Sequence, residues 1–180
     1  IASAYEQRYG VAVELQYAGS NTLLNQLQVN KFAEGDLYIA ADDFYTDKAV
    51  AEGLAAETIP IAHQRPVVAV RRDNAKSIET LADLLQPGVA VAVGNPEQAA
   101  IGKTVRKQLE AIAVENSNRW VQLEQQVTAE GVFKPTVNEI ANDVKIGAVD
   151  AAIVWDSTVA MPKYKEDLIA VPLPELYVDP

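Results

Sequence analysis

Val89-Ala90-Val91-Ala92-Val93-Gly94-Asn95-Pro96 is the most telling run of the chain. Five successive apolar residues without polar alternation predict a strand covered on both faces, and Gly-Asn-Pro is a turn that ends it. A helix is expected next, near residues 99–113. Upstream, Val67-Val68-Ala69-Val70 is a second apolar strand within Pro66–Arg71. It leads to a helix through Ile78, Leu81, Leu84 and Leu85 that Pro87-Gly88 stops. Downstream, a further helix is expected over 118–127. Thr136-Val137-Asn138-Glu139 fits a capping box for a helix carrying Val137, Ile140 and Val144, and Ala151–Trp155 and Leu168–Val171 read as strands. The first residues continue the theme: a helix over 2–9 closed by Gly10, an alternating strand at Val11, Val13, Leu15 and Tyr17, and a helix after Ala18-Gly19-Ser20-Asn21. A short strand at Leu37–Ala40 and a helix capped by Asp42 or Asp43 follow. Apolar strands alternating with helices predict an α/β fold, with mostly parallel sheets covered by helices on both faces. Gln64–Val67 is the candidate crossing between two halves.

Composition narrows the function. With 180 residues, 49% hydrophobic and 22% charged, the chain is long enough for one large or two small domains. A net charge of −10 repels phosphate backbones and anionic membrane surfaces, so nucleic-acid binding is not expected. The absence of cysteine excludes disulfides, thiolate metal sites and cysteine nucleophiles. The longest apolar runs are about five residues, against roughly 18 for a membrane helix. Ile1 is not an initiator Met and no leader pattern precedes it, so the chain reads as a piece of a longer product.

No nucleophile elbow, Walker loop, dinucleotide turn, zinc motif or EF-hand loop occurs, and catalysis is not expected. His63, the single histidine, has no partner in sequence for catalysis or metal binding, which leaves a structural or surface role. Asp42-Asp43 fits a helix cap with favourable dipole charge better than a metal pair. Three helix starts say more: Ser20 with Asn21 and Thr22, Ala99-Ala100-Ile101-Gly102, and Thr136 with Val137 and Asn138. Each would present unpaired backbone N–H groups and a positive dipole end, which suits an anion. Spacing does not tell whether the three converge.

Five stretches occur in one order: Tyr17-Ala18-Gly19-Ser20-Asn21-Thr22-Leu23, Ile39-Ala40-Ala41-Asp42, Leu81-Ala82-Asp83-Leu84-Leu85, Val91-Ala92-Val93-Gly94-Asn95-Pro96-Glu97 with Gly102, and Ala151-Ala152-Ile153-Val154-Trp155. Together they resemble the molybdate-binding proteins of bacterial ABC transporters, within the type II periplasmic binding proteins. The resemblance runs over nearly the whole chain and implies two α/β lobes: an incomplete lobe 1 at 1–64, lobe 2 at 65–175, and the start of a return crossing at 176–180. It implies a tetrahedral oxyanion held in the cleft by neutral donors: the Ser20 hydroxyl, Ile101 just before the helix-opening Gly102, a backbone donor at Val137, and Trp155 where the family commonly has a tyrosine. An indole N–H also donates one hydrogen bond. Asp156 is a departure: facing the cleft it would repel a dianion, so either it points away or the ligand differs from plain molybdate. The family's first strand, with another ligand-binding serine, and its C-terminal return strand have no counterpart, so residues 1–180 resemble the middle of a longer protein.

The expected function is therefore the substrate-binding component of an ABC transporter, capturing molybdate or tungstate without catalysis, cofactor or metal. Its partners would be the oxyanion and a membrane permease, and its place periplasmic or extracytoplasmic, as a monomer, with lipid anchoring left open. The alternative is the effector-sensing domain of a LysR-type transcription regulator, which uses the same two-lobed fold. An enzyme is a further rival that would need groups from the missing ends.

Overall fold

The computed structural model describes residues 1–29, 35–115 and 117–177. The chain opens with helices α1 (Ala2–Tyr9), α2 (Ser20–Val29) and α3 (Asp43–Ala51). It then runs through β1 (Pro66–Arg71), α4 (Leu81–Leu84), β2 (Val91–Gly94) and α5 (Ala100–Glu110). A small hairpin, β3 (Ala113–Val114) and β4 (Ser117–Asn118), leads to α6 (Arg119–Glu130), β5 (Val132–Lys134) and α7 (Val137–Lys145). Last come β6 (Ala151–Trp155), α8 (Asp156–Val159), β7 (Leu168–Pro172) and a 3-10 turn at Pro174–Leu176.

One mixed sheet, in the order β5-β2-β6-β1-β7, organises residues 66–172. β2 runs parallel to β5 and β6, whereas β1 is antiparallel to both its neighbours, so only β1 opposes the common direction. Its register is fixed by pairs such as Pro66 with Trp155 and Val68 with Ile153. Val67 to Val70, Val91 to Val93 and Ala151 to Val154 are all buried, as their unbroken apolar runs require of strands covered on both faces. The chain passes from β2 to β5 through α5 and α6, and from β5 back to β6 through α7. Right-handed crossovers running in opposite directions place these helices on opposite faces. α5 and α6 accordingly pack on each other and on β2, and α7 covers β2, β6 and β1. Leu109, Leu123, Ile140 and Val144 are among the fully buried side chains contributed by these helices, each worth about 1.5–3 kcal/mol of transfer free energy.

Several expectations are corrected. Residues 11–17 and 37–40 are not strands: they find no ladder partner among the described residues, and Leu15, Tyr17, Leu37 and Ile39 are exposed. Their alternation is real, but a strand forms only against another strand. The helix through Ile78 begins later, at Leu81, because the Asn74 side chain accepts from the Ile78 amide and donates to its carbonyl, holding it in a loop. Thr80 and Asp83 then form the capping box that starts α4. At α7 the expected box is half made: Thr136 Oγ1 accepts from the Glu139 amide at 3.3 Å, but the Glu139 carboxylate takes the Thr136 hydroxyl. β5 and the β3-β4 hairpin are too short to show in the hydrophobic pattern. The expected return crossing beyond Tyr177 lies outside the described residues.

Candidate functional site

β5, β2 and β6 run parallel, so their carboxyl ends lie along one edge, and each end feeds a helix start. That edge is where open α/β sheets bind ligands. β2 ends at Gly94 and turns through Asn95, whose side chain accepts from the Glu97 amide at 2.8 Å and whose carbonyl accepts from Gln98 and Ala99. The Asn95 amide in turn donates to the Lys134 carbonyl at the end of β5, tying the two strand ends together. Gly94 and Gly102 close this turn by direct backbone approach: a methyl on Gly102 would overlap the Gly94 carbonyl, so α5 can begin here only with glycine at that position.

The start of α2 packs against this edge. A methyl group on Gly19 would lie 2.5 Å from the Gln98 carbonyl oxygen and 3.0 Å from that of Pro135. Gln98 immediately precedes the α5 cap and Pro135 precedes the α7 cap. The starts of α2, α5 and α7 therefore converge around Gly19, which spacing alone left open. Asn21 reinforces the contact by donating from Nδ2 to the Glu97 carbonyl at 2.9 Å.

The convergent groups are neutral donors. Ser20 is buried, and its Oγ accepts from the Ala41 amide at 3.3 Å, which leaves its own proton to be donated elsewhere. Tyr38 fixes Ser20 from behind through a 2.8 Å bond from its hydroxyl to the Ser20 carbonyl, and burial pushes the Tyr38 phenol well above its ordinary value, keeping it a donor. Ala99 provides no side-chain cap for α5, so the amides of Ala100, Ile101 and Gly102 have no acceptor among the described residues. At α7 the Thr136 side chain satisfies only Glu139, leaving the Val137 and Asn138 amides open in the same sense. Each such helix end carries a positive partial charge of about half a unit.

The family of bacterial extracellular solute-binding proteins matches residues 1–180. The chain belongs to this family. Its members bind solutes and are not enzymes. Among relatives, the solute-binding protein is 28% identical over 149 residues to the molybdate-binding protein ModA of Mycobacterium tuberculosis, a match covering 82% of this chain and 51% of that one. Its fold is similar to the periplasmic molybdate-binding protein of Azotobacter vinelandii, with TM-score 0.66, 18% identity, and coverage of 91% of this chain and 68% of that one. It is also similar to the sulfate-binding protein SubI of Mycobacterium tuberculosis, with TM-score 0.75, 21% identity, and coverage of 96% and 64%. The chain thus spans about half to two thirds of the length of these relatives.

In this solute-binding protein Trp155 ends β6 at the same sheet edge, buried and with no acceptor for its indole N–H among the described residues. Asp156 is turned to the crossing: its Oδ1 accepts from the Arg65 amide at 3.2 Å and the Ser157 amide at 2.7 Å, and its own amide donates to the Arg65 carbonyl. Of the two expectations for Asp156, the engaged Oδ1 fits a carboxylate turned away from the cleft. Asp42 is the cap of α3, accepting from Phe44 N at 3.0 Å, and among the described residues no group of three or more His, Cys, Asp or Glu side chains could hold a metal. His63 is exposed. Tyr38 and Thr104 escaped sequence reasoning as site-supporting residues, and Asn21 was named only as part of the helix start at Ser20. Only Asn21 carried a signal, its place in the second helix start, whereas Tyr38 looked like an ordinary strand residue and Thr104 like an ordinary helix residue.

Proposed function

We propose that this solute-binding protein captures a tetrahedral oxyanion, molybdate or tungstate, between two lobes formed by residues 1–64 and 65–175, and delivers it to the membrane permease of an ABC transporter outside the cytoplasm. The observation that carries this is the convergence of three helix starts around Gly19: one opens with the buried Ser20 hydroxyl, and the other two carry open amides, at Ile101 and Val137. Oriented amides and a hydroxyl hold a dianion without lysine or arginine. Trp155 adds an indole donor at the end of β6. The similarity to ModA favours molybdate or tungstate among oxyanions, and the family match favours transport over a LysR-type regulator. The protein acts as a monomer, without cofactor, metal or nucleic acid, and the chemistry is capture and lobe closure.

Thermal shift of the complete protein against molybdate, tungstate, sulfate and phosphate tests the reading. A ligand at 100 times its Kd stabilises the folded state by about 2.7 kcal/mol. Molybdate or tungstate should raise Tm more than sulfate or phosphate, and equal or absent shifts across the panel would overturn the assignment.

A further inference from the structure

Beside the convergent helix starts, α3 and α5 are joined by a contact that the proposed anion cradle does not use. Thr104 is buried, and its hydroxyl donates to Asp42 Oδ2 at 2.8 Å. The other oxygen of Asp42 is already engaged, accepting from the Phe44 amide to cap α3. Next to Thr104, Lys103 lays its ammonium over the Phe44 ring, 2.6 Å from the centroid. Two successive residues of α5 therefore grip the first turn of α3, one through a carboxylate and one through an aromatic face. We propose that Thr104 and Asp42 form a latch made only when the lobes are closed, and that they are positioning residues which retain the oxyanion without touching it. This rests on the two-lobe, oxyanion-binding reading above.

The chemistry favours a latch over a static support. Asp42 keeps its capping bond whether or not α5 is near, so the α3 start does not depend on Thr104. Thr104, once withdrawn, can turn its hydroxyl to the carbonyl four residues earlier in its own helix, as helical threonines do. Neither element needs the bond to fold, and the bond can form only when α3 and α5 meet. Its free energy then adds to the closing equilibrium and, through it, to ligand affinity. Because it is made only in the closed arrangement, which the free protein also samples and from which the ligand must escape, it acts mainly on dissociation rather than on association. The bond has a second effect: it keeps the Asp42 carboxylate directed at a hydroxyl, although Asp42 directly follows Ala41, whose amide supports Ser20.

The test uses the complete protein with Thr104→Val, which removes the hydroxyl at nearly constant volume, Thr104→Ser, which restores it, and Asp42→Ser, which keeps a capping oxygen but is too short to reach α5. Stopped-flow binding and release of molybdate gives the two rates. Thr104→Val should raise the release rate about tenfold or more, as expected for a hydrogen bond to a charged group, with association within about twofold of wild type. Thr104→Ser should restore the release rate, and Asp42→Ser should make the Thr104→Val effect vanish. The sequence contains no cysteine, so spin labels at Asp47→Cys and Glu124→Cys can report the lobe separation without any ligand. Thr104→Val should shift that distance distribution towards longer values. This arm separates the two readings: a longer distance in a protein that binds no oxyanion keeps the latch and rejects the ligand assignment. An unchanged distance overturns the latch, as does a molybdate release rate that is unchanged or raised equally in the Asp42→Ser background.

Discussion

Substituting Gly19 by alanine places one methyl group where the three helix starts meet. Ordinary contact to a Cβ begins near 3.4 Å, so the methyl would be about 0.9 Å too close to the Gln98 carbonyl oxygen and about 0.4 Å too close to that of Pro135. Both obstacles are backbone atoms, and neither can rotate aside. Overpacking of this kind costs about 1–3 kcal/mol, which corresponds to a loss of about 5- to 150-fold in molybdate affinity if the closed arrangement is the one that holds the anion. The free protein should behave oppositely. Gly19 does not have a positive φ, so alanine is not strained there, and it reduces the conformational freedom of the unfolded chain, a gain of about 0.4–1 kcal/mol. Opening the cleft relieves the clash at once. Gly19→Ala in the complete protein should therefore keep or slightly raise Tm without ligand while weakening molybdate binding by calorimetric titration. Affinity within twofold of wild type would refute the reasoning, and so would a free protein destabilised as much as its complex.

Three further outcomes follow from the site. Under the proposed function Ser20→Ala removes a donor to a desolvated dianion and should weaken binding by about 1.5–3 kcal/mol by titration, whereas an unchanged titration would reduce Ser20 to a helix start. Trp155→Phe should abolish most of the ligand-induced change in intrinsic fluorescence. Trp120→Phe should preserve it, because Trp120 is packed on α6 against Phe133, with ring centroids 6.2 Å apart. Gly102→Ala is expected to lower Tm by several degrees in thermal melts despite alanine's better helix propensity, because its methyl would overlap the Gly94 carbonyl; a raised Tm would show that the β2-α5 turn is looser than the packing indicates.

The fold was legible where burial writes itself into composition. The runs at Val67 to Val70, Val91 to Val93 and Ala151 to Trp155 carry their own reason for being strands, since both faces are covered, although the strand expected from Val89 begins only at Val91. The direction of β1 was not legible, because an antiparallel neighbour buries the same apolar residues as a parallel one. Residues 11–17 show the opposite failure: alternation without a ladder partner among the described residues leaves Val11, Leu15 and Tyr17 exposed. At the site, the helix starts were readable one at a time from Ser20, Ile101-Gly102 and Thr136-Val137. Their meeting was not, because it depends on Gly19 standing against two carbonyls contributed by loops about 80 and 115 residues further along the chain. The half-made box at Thr136 is a finer instance: the sequence pattern names the two partners, and the local rotamer decides which oxygen meets which proton.

Under the proposed function a chain with net charge −10 would hold a dianion, and the geometry supports the compatibility of the two. Two carboxylates beside proposed contact residues are engaged by donors of their own: Asp42 by the Phe44 amide and the Thr104 hydroxyl, Asp156 by the Arg65 and Ser157 amides. Each is thereby held in a fixed direction by donors of its own. What remains open at the carboxyl edge of the sheet is a set of neutral N–H and O–H groups whose positions are set by rigid helix starts. A cationic site would attract any anion by long-range field and would weaken with salt, whereas fixed neutral donors reward only an anion whose oxygens fall where the donors point. Under the proposed function, selection among tetrahedral oxyanions then becomes a matter of cavity radius and donor direction, with closure of α3 onto α5 determining how long the selected anion stays.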